Sequence, residues 1–517
     1  MTTFARGSAT LTRDALAVLQ PGFAGTTAPD WLLRRLGEGL GSVGIFGRNV
    51  VSSEQLAALT AQLRAERDDV IVAIDEEGGD VTRMEVRTGS SFPGNLALGA
   101  VDDTALTEAV ARELGRRLAE CGVNLDWAPS ADVNSNPDNP VIGVRAFGAD
   151  PGLVARHTAA YVRGLQGAGV AACTKHFPGH GDTAIDSHHA LPRIDADLDT
   201  LAARELVPFR AAVAAGTKAV MSAHILLPAL DPTLPATLSP AALHGLLRAP
   251  ATEGGLGFEG LIVTDGMEMR AISAAYGIER GSALAIAAGA DAICVGGGLC
   301  DEDTVLRLRD ALVAAVRAGE LPEERLADAA ARVRALGDWA RDAGGPGAAQ
   351  GIAPAPEAGL RAARRALRIT RGERPYEPPA GPVFVAAFTP VANIAVGDET
   401  PWGVAAELAR LLPGTGTATY GRQDAEAEPE GAPALIANVL GEAADRRIVA
   451  VVRDVHRHPW MAGALDTLLA ARPDTVVVEM GVPQAPPTGA LHIATHGAAR
   501  VCGVAAAEVI TGGVAGR

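Results

Sequence analysis

The chain has 517 residues, 48% of them hydrophobic and 21% charged, which is enough apolar material for a sizeable core and rules out a disordered chain. Lys and Arg number 45 against 61 Asp and Glu, and the formal charge of −16 speaks against general nucleic-acid binding, which needs clustered positive charge. Five scattered cysteines (Cys121, Cys173, Cys294, Cys300 and Cys502) form no C-x-x-C pair, so neither a disulfide framework nor a cysteine-rich zinc site is expected. The N-terminal residues lack the apolar core of a signal peptide, and no run of about 18 apolar residues occurs. The expectation is a cytoplasmic protein with no membrane partner and no particular oligomeric state.

In chain order, the first two-thirds alternates short apolar runs with helical stretches. The runs are Leu16–Phe23, Ser42–Phe46, Val70–Asp75, Val123–Ala128, Ala171–His176, Ala219–His224, Leu261–Asp265 and Asp291–Val295. They show little alternation, as strands buried on both faces do. Between them the pattern predicts helices over Ser53–Arg67, Thr104–Cys121, Pro151–Leu165, Leu198–Ala215, Arg270–Ala288 and Asp303–Ala318, with a last one over Pro322–Arg341. Eight β/α units define an α/β fold of the (β/α)8 TIM-barrel type over residues 1–341. Residues 342–382 are Gly/Ala/Pro-rich with one basic helix and read as a linker. Residues 383–517 form a smaller α/β layered domain, with strands predicted at Val383–Phe388, Ile448–Val452 and Thr475–Met480.

The most informative stretch is Lys175–His189, KHFPGHGDTAIDSHH. Four of the 11 histidines (His176, His180, His188 and His189) fall inside it. It begins at the end of the fifth strand, where barrel enzymes place their chemistry. Asp186 and His188 are two apart, so in extended backbone they project on one side. A carboxylate so placed holds one imidazole nitrogen, raises the ring's basicity and leaves the other nitrogen to move a proton. A structural Asp–His bond in a surface loop is the plain alternative. A metal site built from His176, His180, Asp182, Asp186 and His188 is the rival, but the Lys175 cation adjoins it and no H-E-x-x-H spacing is present. No metal and no cofactor are expected. Asp265 ends the apolar run Leu261–Thr264 and so faces the barrel mouth, where an acid is costly unless paired or functional. It could instead cap the helix that follows, and Glu268 is an alternative nucleophile.

KHFPGHGDTxxDSH resembles the signature of the bacterial β-N-acetylglucosaminidases of glycoside hydrolase family three. SVGIFGRN (42–49), IDEEGGDVTR (74–83), NLDWAPSADVNSNPDNPVIGVRAF (124–147) and IVTDGMEM (262–269) resemble further family segments in the same order. The resemblance implies a retaining, two-step exo-β-N-acetylhexosaminidase. Asp265 would be the nucleophile and His188, held by Asp186, the acid and base. Asp75, Arg83, Arg145, Lys175 and His176 would grip a terminal N-acetylglucosamine of a small β-linked amino-sugar oligosaccharide, with His224 as a further lining residue. Retaining glycosidases usually employ two carboxyl groups; here a dyad replaces one. Three positions depart from the family pattern: Glu76 and Asp80, where Gln and Arg are usual, and Gly266, where a larger residue is usual. The Asp80 exchange reverses a charge and either replaces a structural salt bridge or alters what is accepted beyond the first sugar. Phosphorolysis, a β-glucosidase of the same family with Glu479 as its acid, and a non-catalytic sugar-binding protein are the other readings.

Overall fold

The computed structural model describes residues 2–343, 349, 351–373, 375–391, 396–397, 399–426 and 431–513. It divides into two compact units, one of residues 1–77, 107–142 and 149–355, the other of residues 78–106, 143–148 and 356–517.

In the first unit each of the eight expected apolar runs holds one strand: β1 (Leu19–Pro21), β2 (Ser42–Ile45), β3 (Ile71–Ile74), β4 (Leu125–Asp126), β5 (Ala171–Phe177), β6 (Ala219–Ser222), β7 (Leu261–Thr264) and β8 (Ile293–Val295). Strands β2 to β7 make one parallel sheet in chain order, and β1 pairs with β8, also in parallel. A single bridge, Val263 to Ala292, links β7 to the edge of β8. The Ser42 hydroxyl donates to the Leu19 carbonyl at 3.1 Å between β1 and β2. Every strand residue is buried, which explains the unbroken apolar runs. Alternate positions (Ile71 and Ala73, Ala171 and Cys173, Leu261 and Val263) meet in one cluster with Val333 and Leu336 of the helix Glu323–Ala343.

Two expected helices are interrupted, each for a local reason. Leu198–Ala215 opens into a widened turn over Leu201–Glu205, where the Leu206 N–H reaches the Leu201 carbonyl, before resuming at Leu206–Ala214. Pro208 has no N–H for the carbonyl four residues earlier, which favours such a bulge. Arg270–Ala288 breaks at Gly277, whose φ of +71° ends Arg270–Tyr276 and starts Ile278–Ala288.

The second unit is a three-layer α/β sandwich. Its strands are β9 (Arg368–Arg371), β10 (Phe384–Phe388), β11 (Gly416–Tyr420), β12 (Ile448–Val452), β13 (Val476–Glu479) and β14 (Leu491–Ala494). They lie in the order β11-β10-β12-β13-β14-β9, parallel except for antiparallel β9. One face carries Val385, Val449, Val478 and Ile493 against the helix Arg500–Ile510. The other carries Phe384, Ala386, Ala450 and Val477 against Ala432–Ala443 and Pro459–Ala471. The stretch expected as a linker supplies the helix Ala358–Ala366 and the edge strand β9. Segments 78–106 and 143–148, expected within the first domain, group with the second unit.

Candidate active site

The site is built at the carboxyl ends of β3 to β7. Lys175, near the end of β5, is 2% exposed and bridges two acids: its Nζ lies 2.8 Å from Asp75 Oδ1 and 2.6 Å from Glu77 Oε1. Two carboxylates about one ammonium satisfy a cation that would otherwise be costly to bury. Glu77 is fixed further by the Tyr161 hydroxyl, which donates to its carbonyl at 3.0 Å. Glu76 points its N–H at Asp126 Oδ1 at 3.0 Å. Burial pushes the Asp126 carboxyl well above its ordinary range, and the nearby Glu76 and Asp75 charges add to the rise.

His176 follows Lys175 and donates from Nδ1 to Asp132 Oδ2 at 2.7 Å. Asp132 also accepts from the His176 N–H at 3.2 Å, the His180 N–H at 2.7 Å and the Ser130 hydroxyl at 2.9 Å. Although burial opposes it, the His176 charge and hydrogen bond hold the Asp132 carboxyl well below the usual range. Asn139 clamps the same turn, its Nδ2 donating to the His180 carbonyl at 2.9 Å while its Oδ1 takes the Val141 and Ile142 N–H groups, both at 2.9 Å. Gly181 is required by close approach: a Cβ there would lie 1.7 Å from the Val133 carbonyl oxygen. His180 is fully enclosed, and burial reinforced by His176 lowers it to about 4, so it is neutral at pH 7.

The expected dyad is formed. Asp186 Oδ1 takes both the His188 backbone N–H at 2.9 Å and the ring Nδ1–H at 2.7 Å. With Nδ1 engaged by Asp186, any proton transfer by this ring would run through Nε2. Burial alone would raise the Asp186 carboxyl, but the hydrogen bonds from His188 take it below its ordinary value. The loop is tied to the chain after β7, since the Ala271 N–H donates to the Ser187 carbonyl at 3.3 Å.

Asp265 ends β7, half-buried, with its Oδ1 accepting the Gly266 N–H at 2.8 Å. Burial would raise its carboxyl, yet the charges of His224, His176 and His188 bring it down to about 2. His224 donates from Nε2 to the Gly266 carbonyl at 3.0 Å and its Nδ1 lies 2.9 Å from the Thr237 hydroxyl. It thus steadies the backbone beside Asp265, and burial keeps its ring below the ordinary value. Glu268, the alternative nucleophile, has its Oε1 on the backbone N–H groups of Gly296, at 3.0 Å, and Gly297, while its Oε2 has no hydrogen-bond partner among the described residues.

Arg83 and Arg145 fall on segments of the second unit. Arg83 is half-buried, and Arg145 is 6% exposed with its carbonyl accepting Asn95 Nδ2 at 2.7 Å. Glu479 is an anchor of that unit: it is 2% exposed and takes N–H groups of Asp454 at 2.9 Å, Val455 at 3.4 Å and Gly481 at 2.7 Å. Sequence reasoning passed over Asp132 and Glu77. Unlike Asp75 and Asp265, which directly follow β3 and β7, Asp132 lies well beyond the end of β4 (Leu125–Asp126) and carried no strand-end signal.

Among the described residues no group of three or more His, Cys, Asp or Glu is arranged to hold a metal ion, and no helix is long and apolar enough to cross a membrane.

Acids, histidines and a buried lysine thus gather at the carboxyl ends of the strands of the first unit. Residues 28–336 match the glycosyl hydrolase family 3 N-terminal domain, and the chain belongs to that family. It is similar over its whole length to a solved family 3 β-N-acetylglucosaminidase from Paenibacillus, with 34% identity, a TM-score of 0.84 and 97% of each chain covered. Curated relatives include beta-hexosaminidase A of Pseudoalteromonas piscicida, 34% identical over 57% of this chain and 53% of that protein. The match thus spans about half the length of that relative. Another is the beta-hexosaminidase of Neisseria gonorrhoeae, 37% identical over 54% of this chain and 76% of that protein.

Proposed function

We propose that the protein is a retaining exo-β-N-acetylhexosaminidase that removes terminal N-acetylglucosamine from small β-linked glycans such as muropeptides or chito-oligosaccharides. The first unit is read as a (β/α)8-type barrel with its chemistry at the carboxyl ends of the strands. The observation that carries this is the Asp186–His188 bond at 2.7 Å on a loop that Ser187 ties, through the Ala271 N–H, to the chain following Asp265. The beta-hexosaminidase names of the relatives support the substrate class.

In the first step the Asp265 carboxylate attacks the anomeric carbon and the glycosidic bond breaks. The leaving oxygen takes the proton from His188 Nε2, and Asp186 stabilises the ring through Nδ1. In the second step His188, now neutral, takes a proton from water. The resulting hydroxide equivalent attacks the anomeric carbon and releases Asp265. Proton transfer of this kind contributes about 10²–10⁴-fold. Lys175 and Asp75 form a polar pair that offers the sugar ring hydroxyls both a donor and an acceptor. With aromatics at 4% of the chain, stacking platforms are scarce, which favours one gripped terminal sugar over a long groove.

The test is nitrophenol release from the β-N-acetylglucosaminide and the β-glucoside, each with and without phosphate and with and without chelator. Preference for the N-acetylglucosaminide, insensitivity to chelator and free sugar as product are expected. Preference for the glucoside would overturn the substrate assignment. Sugar 1-phosphate as product would make the enzyme a phosphorylase. Asp265→Asn should abolish turnover on every substrate.

A further inference from the structure

The carboxyl of Glu205 takes no part in this chemistry, yet it is fully buried against the histidine loop. It sits at the end of the widened helical turn forced beside Pro208. Arg204 Nε donates to its Oε1 at 2.6 Å, and Nη2 of the same guanidinium donates to Asp182 Oδ2 at 2.6 Å. The other oxygen, Oε2, has no hydrogen-bond partner among the described residues. The loop backbone rests directly on this side chain. A Cβ added at Gly179, whose φ is +130°, would lie 2.6 Å from Oε2 and 2.8 Å from the Glu205 Cβ. A buried acid with one oxygen unpartnered costs stability, and an apolar or amide side chain would fill the space more cheaply. Folds keep such groups where function needs them.

The charged and titratable neighbours of Glu205 are few. Arg204 is on its own helix, Asp182 is on the loop, and Asp132 follows β4. Burial, with Asp132 and Asp182 adding to it against the pull of Arg204, lifts the Glu205 carboxyl to about 7. His180, on the same turn, is neutral at that pH and held by Asp132.

We propose that Glu205 is a positioning residue for the acid/base loop: with Arg204 and Asp132 it seats the Gly179–Asp182 turn and thereby sets where the Asp186–His188 dyad is presented. The proposal rests on the reading of His188 as the proton donor. Loss of this seat should impair protonation of the leaving oxygen and spare attack by Asp265, whose Oδ1 is held by the Gly266 N–H.

The experiment compares the full chain with Glu205→Gln and Gly179→Ala on two substrates. Nitrophenyl N-acetylglucosaminide leaves without help, whereas N,N′-diacetylchitobiose needs a proton. Because general acid catalysis is worth about 10²–10⁴-fold, partial loss of alignment should lower kcat/KM on chitobiose by about tenfold or more and kcat/KM on the nitrophenyl substrate, which reports the first step alone, by less than about threefold. Gly179→Ala should reproduce the split by pushing the turn off Glu205. Equal losses on both substrates, or none on either, would overturn the proposal. If Glu205→Gln folds poorly, Glu205→Asp keeps the charge one methylene short. It should show a smaller split of the same sense, and an equal loss there would also overturn the proposal. A parent chain inactive on both substrates would overturn the functional reading and this proposal with it, and would do so before any substitution is compared.

Discussion

Removing the carboxylate of Asp132 should do more damage than removing any other group that does not touch the sugar. Four donors converge on it: the His176 N–H, the His176 ring, the His180 N–H and the Ser130 hydroxyl, at 3.2, 2.7, 2.7 and 2.9 Å. The residue is 0% exposed, so water does not replace what Asp132→Ala takes away. Hydrogen bonds to a charged group contribute about 1.5–3 kcal/mol each, but bonds sharing one acceptor are not additive. Breaking a buried pair by deleting one partner typically costs about 3–5 kcal/mol, and we expect a loss of roughly 4 kcal/mol. The catalytic cost should be separate and larger. His176 loses the acceptor that orients its ring, and the turn at His180 loses its anchor. A displacement of about 1 Å costs on the order of 10²-fold in rate. Urea unfolding followed by tryptophan fluorescence would read the first quantity, and kcat/KM on nitrophenyl N-acetylglucosaminide the second. Asp132→Asn should fall between, because its amide oxygen still accepts the two backbone N–H groups while its NH2 faces the ring. Stability within about 1 kcal/mol of the parent together with kcat/KM within about threefold would refute the reasoning.

His188→Ala should cost about 10²–10⁴-fold in kcat/KM on chitobiose and far less in kcat/KM on the nitrophenyl substrate, and equal losses would remove His188 from the acid role. Gly181→Ala places a Cβ 1.7 Å from the Val133 carbonyl oxygen, so backbone must move. A loss of about 1–3 kcal/mol in melting experiments is expected, and parental stability would show that the turn has slack. Asp132, Asp186 and Asp265 are all held below their ordinary values in the fold. Groups depressed in this way stabilise fully above the unfolded carboxylate value of about 4 and lose that contribution as pH falls toward the folded value. Melting temperature should therefore drop between about pH 4 and pH 2, and a flat profile over that range would contradict the three assignments.

The strands of the first unit were legible because their burial on both faces leaves an unbroken apolar signature in each. The expected helical intervals hold helices, two of them broken where one residue overrides periodicity, whereas Thr2–Ala17, Asp30–Glu38 and Ala241–Arg248 were not expected. Pro208 removes a donor and Gly277 supplies a positive φ, and neither changes the apolar spacing that defined the longer helix. In the second unit the missed strands are β9, β11 and β14. Arg368–Arg371 is a largely exposed edge, and Gly416–Tyr420 alternates exposed and half-buried positions, so neither needs the apolar run that marks a central strand. Leu491–Ala494 is fully buried but only four residues long and follows a Pro-rich stretch. The dyad could be read from its i, i+2 spacing because its partners are local. Asp132 and Glu205 could not, because their partners lie far along the chain and appear only once the strand ends are brought together.

Asp80 illustrates what sequence alone leaves open. Its acidic character breaks the family pattern in a segment that follows Asp75, so a change in what the enzyme accepts and a replaced structural ion pair were equally good readings. In the structure its carboxylate is 2% exposed, accepts the Ala498 N–H at 2.8 Å and takes a hydrogen bond from Arg453. The Arg453 guanidinium also lies 5.9 Å from the centre of the Trp402 ring. All of these residues belong to the second unit. A carboxylate with two donors in so enclosed a place is committed to holding its own unit together. An arginine at position 80 would set a second cation against Arg453, and like charges in a buried setting are strongly disfavoured. The reversal at position 80 is therefore tied to the charge at 453. At position 80 this chain thus pairs the charge at 453 instead of opposing it.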